Sequence, residues 1–197
     1  MTTALELPST EEEIWRYSRI NELDMSKFAS GKLTTTVEGG EGVQLTGAAA
    51  TALVGAGMHV QPDMFAQMNT DTPDVIALQI GKNKVHTQTV VITHSVDTSG
   101  VVAYPRLVID AAENSEIVVV ERFTSADNVH SLVVPVVEVH AAQSARVTYL
   151  AINELGKNTW QIGHQVAVGE RDSNVRLFTV ALGGDYARMR PEVRLVG

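Results

Sequence analysis

The feature that most constrains this chain is a run of β-like segments at a near-constant interval with no helix between them. Their starts fall near Val101, Glu116, Ser131, Ala145, Thr159 and Val175, an almost even spacing. An ordinary sandwich turns about every 8–12 residues, so the interval is long for that architecture. A parallel α/β sheet needs helical crossovers, and no amphipathic helical pattern separates these segments. Aromatic residues make up only 5% of the chain, so its core must be built from stacked aliphatics. Regular strands, aliphatic ladders and missing crossovers predict a mainly β chain folded as a parallel β-solenoid. A jelly roll is the alternative these intervals leave open.

Several segments alternate as half-buried strands do. Val147, Tyr149 and Ala151 share one face and Arg146 and Thr148 the other. Near the end, Arg188, Arg190, Glu192 and Arg194 oppose Ala187, Met189, Val193 and Leu195. The charged row is expected to be solvated or paired across strands. Pro135, inside the apolar run 132–139, removes a ladder N–H and predicts an edge, a bulge or a coil corner.

Residues 1–31 read as a separate helical segment ahead of a core over residues 32–197. Ser9 or Thr10 suits an N-cap, and Glu12 or Glu13 would close a capping box, so the pattern predicts a helix over residues 9–18. Residues 63–69 predict a second short helix, entered through Pro62. Gly55-Ala56-Gly57 reads as a turn.

Composition excludes several classes of function. A formal charge of −8 and a pI near 5.2 argue against nucleic-acid binding, which needs a basic footprint, and against anionic membrane surfaces. With no cysteine, the chain brings no disulfide, no thiolate zinc site and no thiolate ligand for an iron–sulfur cluster. No secretory leader and no membrane-length apolar run is visible, so a cytoplasmic protein is expected. There is no phosphate-binding loop, nucleophile elbow or His-Glu-x-x-His.

Six histidines carry the remaining chemistry: His59, His86, His94, His130, His140 and His164. Stacked coils could bring Glu138, His140 and His164 into one ladder, and a His/carboxylate set of that kind suits iron or another divalent metal. The competing reading is ordinary surface and turn histidines. Trp15-Arg16-Tyr17 likewise has two readings: aromatics packed on the β core with Arg16 lying over them, or a surface that docks a partner.

An ordered string of short motifs resembles the SufB/SufD family of iron–sulfur cluster assembly proteins, on its SufD side. It comprises Glu13-Ile14-Trp15-Arg16-Tyr17-Ser18 with Leu23, then Asp63-Met64-Phe65-Ala66-Gln67-Met68-Asn69. Pro105-Arg106-Leu107-Val108-Ile109 and Asn114-Ser115-Glu116 follow. Leu182-Gly183-Gly184, Arg188 and Glu192-Val193-Arg194-Leu195-Val196-Gly197 close it. The resemblance implies a right-handed parallel β-helix behind a short N-terminal helical segment. It also implies a non-enzymatic scaffold that pairs with a SufB-like paralogue and a SufC-like ATPase, with an iron–sulfur cluster held by the full complex. No cofactor is expected on this chain alone, and no family catalytic or cluster ligand maps onto a residue here. Since the SufB-like partner is thought to supply the thiolate, a chain without cysteine agrees with the SufD side. A family member would continue beyond Gly197, so a truncated chain is expected, and its last coil would present unpaired strand edges that favour self-association as a two-fold dimer.

Overall fold

Two parallel sheets stacked as a β-solenoid of about four turns form the molecule. The computed structural model describes residues 6–55, 63–70 and 75–197. In chain order the elements are β1 (Ala29–Ser30), β2 (Thr34–Glu38), β3 (Gln44–Leu45), α1 (Ala48–Thr51) and α2 (Met64–Met68), followed by β4 (Val75–Ile80), β5 (Val90–Val96), β6 (Val101–Ala103), β7 (Arg106–Ala111), β8 (Glu116–Ser125), β9 (Ser131–Val133), β10 (Val136–Ala141), β11 (Arg146–Glu154), β12 (Thr159–Gly169), β13 (Asn174–Ala181) and β14 (Tyr186–Leu195). Sheet A runs β1-β6-β9-β12-β10-β7-β4-β3, with β14 also on β12, and sheet B runs β13-β11-β8-β5-β2. Among the described strands only β2 and β3 pair antiparallel, on β5 and β4. The parallel ladders decide for the solenoid and against the jelly roll, which is antiparallel.

The interval read from sequence is half a coil: each coil crosses sheet A, as two short strands or one long one, and then sheet B. In sheet A, Arg106, Val136, His164 and Arg190 occupy one ladder position, so each successive coil is slightly shorter than the one before it. From β7 onward, even-numbered residues of sheet A point outward and odd-numbered ones into the lumen. The lumen is aliphatic: Leu107, Ile109, Val137 and Val139 of sheet A meet Ile117, Val119, Val147 and Ala151 of sheet B. Pro105 and Pro135 sit at the breaks between β6 and β7 and between β9 and β10, and Pro135 interrupts its strand without a shift of register on the unbroken β12. Their carbonyls still accept the Val136 and His164 N–H groups, at 3.0 and 2.9 Å.

The turns between the sheets also stack. Asn83, Asn114, Ser144 and Asp172 all have φ between 56° and 60°, the left-handed region that short polar side chains tolerate best. The N–H of Asn83 donates to the Glu113 carbonyl, that of Asn114 to Gln143 and that of Ser144 to Arg171.

The N-terminal segment departs from the expected helix. Half of the capping box is present: the Ser9 N–H donates to Glu12 Oε1 at 2.9 Å, while Ser9 Oγ accepts from the Glu11 N–H at 3.3 Å. Three separate 3₁₀ turns follow, at Glu13–Trp15, Ile20–Glu22 and Met25–Lys27. Burial is the reason. Trp15 and Ile20, five residues apart, both enter one cluster with Phe65, Leu132 and Ile162, and a continuous α-helix would turn them about 140° from each other. So short a helix does not persist on propensity alone. The segment therefore has no core of its own and lies on the outer face of sheet A. α2 does form, capped by Asp63, whose Oδ1 accepts from the Phe65 and Ala66 N–H groups at 3.0 and 3.1 Å. Pro62, His59 and the Ala56-Gly57 part of the expected turn lie outside the described residues. No helix among the described residues is long and apolar enough to cross a membrane.

Candidate functional site

Glu138, His140 and His164 all stand on the outer face of sheet A, on the adjacent strands β10 and β12. The register separates them: His164 lies opposite Val136, while Glu138 lies opposite Val166 and His140 opposite Val168. Each belongs to a different set of partners. Among the described residues no group of three or more His, Cys, Asp or Glu side chains is arranged to hold a metal ion.

Glu138 is buried beneath the segment that carries α1 and α2. Its Oε1 accepts from Arg106 Nε at 2.8 Å and also from Arg106 Nη2, while Oε2 accepts from the Gly55 N–H at 2.8 Å. The guanidinium continues the chain of contacts, with Nη1 donating to the Asn69 carbonyl at 3.0 Å and to Asn69 Oδ1 at 3.2 Å. The Asn69 amide then donates to the carbonyls of Pro105 and Val134, at 3.1 and 2.6 Å. Arg106, Glu138 and Asn69 are each no more than 2% exposed. A buried charge persists only when paired and hydrogen-bonded, and these contacts join the covering segment to the ladder. Glu138 is thus fully occupied in holding the cover down.

His140 is half-buried between two carboxylates. Nδ1 lies 2.9 Å from Asp110 Oδ1 and Nε2 lies 3.3 Å from Glu170 Oε1. The hydrogen bond to Asp110 raises the imidazole pKa, against an opposing effect of burial, and the same bond lowers that of Asp110. His164 is the opposite case. It is 3% exposed and both ring nitrogens are buried without a hydrogen bond. Glu192 Oε2 approaches Nε2 only to 3.6 Å, too far for a hydrogen bond. Burial lowers its pKa, and the charge of Glu192 offsets part of that effect.

A second polar set stands inside the lumen. Glu121, 1% exposed, faces inward from β8 in line with Ile117, Val119 and Phe123. Its Oε1 pairs with His94 Nε2 at 2.9 Å, its Oε2 accepts from the Tyr149 hydroxyl, and His94 Nδ1 pairs with Thr35 Oγ1 at 2.9 Å. Burial, then the Glu121 charge, pushes the Tyr149 phenol well above its ordinary value. Thr35 and His94 line a cavity of about 310 Å³ at the β2 end of the lumen, walled by Leu33, Val37, Val75 and Ile76. Parity was the available signal for this set: Glu121 alternates in step with buried aliphatics.

The cluster Trp15-Arg16-Tyr17 is split by its turn. Trp15 is 1% exposed, tilted against Phe65 with ring centroids 5.8 Å apart, and Arg188 lies over its ring at 4.1 Å. Arg16 pairs with Glu13 in solvent. Tyr17 is 94% exposed. Trp15 is therefore a core residue, and of the three only Tyr17 offers an aromatic surface.

The strand–turn repeat that carries these ladders is shared with known proteins. Residues 76–197 match the family described as "SUF system FeS cluster assembly, SufBD core domain". The chain belongs to the SufBD family. An iron–sulfur cluster assembly SufBD family protein of Mycobacterium tuberculosis is 30% identical over an alignment covering 98% of this chain and 49% of that protein. A Mycobacterium bovis relative of the same description gives the same values, and a Mycobacterium leprae one is 28% identical over 98% of this chain and 50% of its own length. The chain thus spans about half the length of the curated relatives it matches. No solved structure matches it. Within the SufBD core, β4 to β14 make up the matched solenoid, and Trp15, α1 and α2 form the cover outside it.

Proposed function

We propose that this chain is a SufD-type scaffold subunit in iron–sulfur cluster assembly, acting without turnover, pairing with a SufB-like paralogue and binding a SufC-like ATPase. The match of residues 76–197 to the SufBD core carries this reading. The side chains agree with it. The buried carboxylates Glu138 and Glu121 are both engaged by basic or hydroxyl partners inside the fold. None of the 197 residues is a cysteine, so the thiolates that iron–sulfur clusters require would come from outside these residues. The cluster is then held by the complex. A cytoplasmic location follows from this reading.

Co-expression tests it. The chain is produced with the SufB-like and SufC-like proteins of its own genome, purified by a tag on this chain, and given ferrous iron and sulfide under anaerobic conditions. Co-purification of both partners, with cluster absorbance only in the complex, is the expected result. A chain that recovers neither partner, or that carries stoichiometric metal alone and loses it in His140→Ala or His164→Ala, would overturn the proposal.

A further inference from the structure

The outer face of sheet A is covered by the N-terminal segment, whereas that of sheet B has no cover among the described residues. Its central ladder is apolar across four coils: Val91 of β5, Val120 of β8, Leu150 of β11 and Phe178 of β13 stand side by side in register. All four point outward, because their neighbours Val90, Val119 and Tyr149 fill the lumen and Leu177 packs against it. Phe178 is 52% exposed. Val91, Val120 and Leu150 are half-buried, and an apolar row left part-solvated across an open sheet face is the kind of surface a partner covers.

Two features of this face specify its partner. The ladder is graded in size, with valines at one end and Leu150 and Phe178 at the other. Reversed on itself, it sets Val91 against Phe178 and Val120 against Leu150, which gives a layer of even thickness. The charges flanking it are antisymmetric. On one side of the stripe Glu116 of β8 meets Arg146 of β11 at 3.6 Å. On the other side the order is exchanged, and Arg122 of β8 meets Glu154 of β11 at 2.7 Å. A two-fold axis lying in the interface, parallel to the strands and between β8 and β11, exchanges those two strands. Each carboxylate then faces an arginine of the other copy, on both sides of the stripe. An isologous contact requires such self-complementarity.

We propose that the outer face of sheet B is a self-docking surface on which a second copy of this chain seats about that two-fold axis. The contact differs from pairing through the strand edges of the last coil. It does not depend on the assembly partners, so its failure leaves the scaffold reading untouched.

The test is sedimentation of the purified chain alone across a concentration series, with circular dichroism as the check on folding. The wild-type chain is expected to dimerise. Leu150→Glu, an outward substitution that spares the lumen, should be monomeric with an unchanged spectrum. Arg122→Glu and Glu154→Arg should each weaken the dimer at least about tenfold, a like-charge cost on the order of 1.4 kcal/mol. Mixing these two variants should restore association, because the surplus charge of one copy then faces the opposite surplus of the other. Should Leu150→Glu prove unfolded, the mixing experiment decides alone. A wild-type monomer at hundreds of micromolar overturns the proposal. So does a dimer that survives both charge variants, or that is lost in Leu195→Glu but kept in Leu150→Glu.

Discussion

The same outer face of sheet A asks opposite things of its buried residues. Glu138 and Arg106 are paired and wrapped in hydrogen bonds, so removing one partner strands the other. Glu138→Leu is expected to cost about 3–5 kcal/mol by leaving a buried guanidinium without its carboxylate, and adding Arg106→Met should recover most of that loss. Urea denaturation of the single and double variants gives the coupling, and additive effects would rule out the pair as the anchor of the cover. His140 and His164 predict pH dependences of opposite sign. The pKa of His140 is raised in the fold, so its contribution is full below the unfolded value of about 6.5 and is lost as pH rises through the folded one. That of His164 is lowered. The unfolded chain takes up a proton below about pH 6.5 that the folded chain refuses, and stability is lost as pH falls. His140→Asn should therefore flatten the alkaline side of the stability profile and His164→Leu the acid side. Denaturation midpoints between about pH 5 and 8 will separate them, and two variants running parallel to wild type would contradict both assignments. Parity put Glu138 and His140 on one face of β10, where they stand, but the ladder expected to join them to His164 does not form, since His164 lies opposite Val136. Sequence could not show that Arg106 and Asp110 bond Glu138 and His140, because those partners lie a full coil away along the chain.

At the scale of elements, legibility followed from how local the determinant was. The six strand starts legible in the sequence agree closely with those of β6, β8, β9, β11, β12 and β13, since period-2 burial is written into each strand. The capping of α2 by Asp63 is likewise contained in a single turn of chain. The expected helix over residues 9–18 failed because its outcome depends on where Trp15 and Ile20 can be buried, and Phe65, Leu132 and Ile162 decide that. Two substitutions probe the coil-to-coil contacts. Ser144 adopts φ +60° in the turn ladder between asparagine and aspartate positions; Ser144→Asn relieves part of the left-handed cost and should stabilise by up to about 1 kcal/mol. Gly163 occupies the ladder position of Pro105 and Pro135 in a coil whose strand continues unbroken. A Cβ there would fall 2.6 Å from the Pro135 ring and 2.4 Å from Met189 Sδ. Gly163→Ala should cost about 1–3 kcal/mol by overpacking. Thermal unfolding of the two variants checks the pair, and shifts of the same sign would mean that the coils do not constrain each other as described.

A solenoid whose coils touch only their neighbours is expected to fray from its ends. Here the N-terminal segment counters that tendency by crossing the coils on the outside. Arg188, on β14, donates to the Ile14 carbonyl at 2.6 Å and covers the Trp15 ring. Arg19 reaches forward to Asp185 Oδ1 at 2.8 Å and lies over Trp160, whose indole N–H donates to Asp185 Oδ2 at 2.6 Å. Residues far apart in the chain are thus tied directly, and Arg188 of β14 covers one face of the buried Trp15 ring. β14 and the three 3₁₀ turns should therefore open as one cooperative unit. Native-state hydrogen exchange measures this, since amides that open together share one free energy. In the wild-type chain the amides of β14 and those near Trp15 and Ile20 are expected to exchange with a common opening energy. In Arg188→Ala both groups should lose protection by the same amount, while β8 and β11, in the middle of the stack, keep theirs. Loss confined to β14 would mean that the segment is held by α2 and the earlier coils alone. Loss spread evenly through β8 and β11 would mean that the solenoid opens only as a whole, and that the crossing segment adds nothing separable to its last coil.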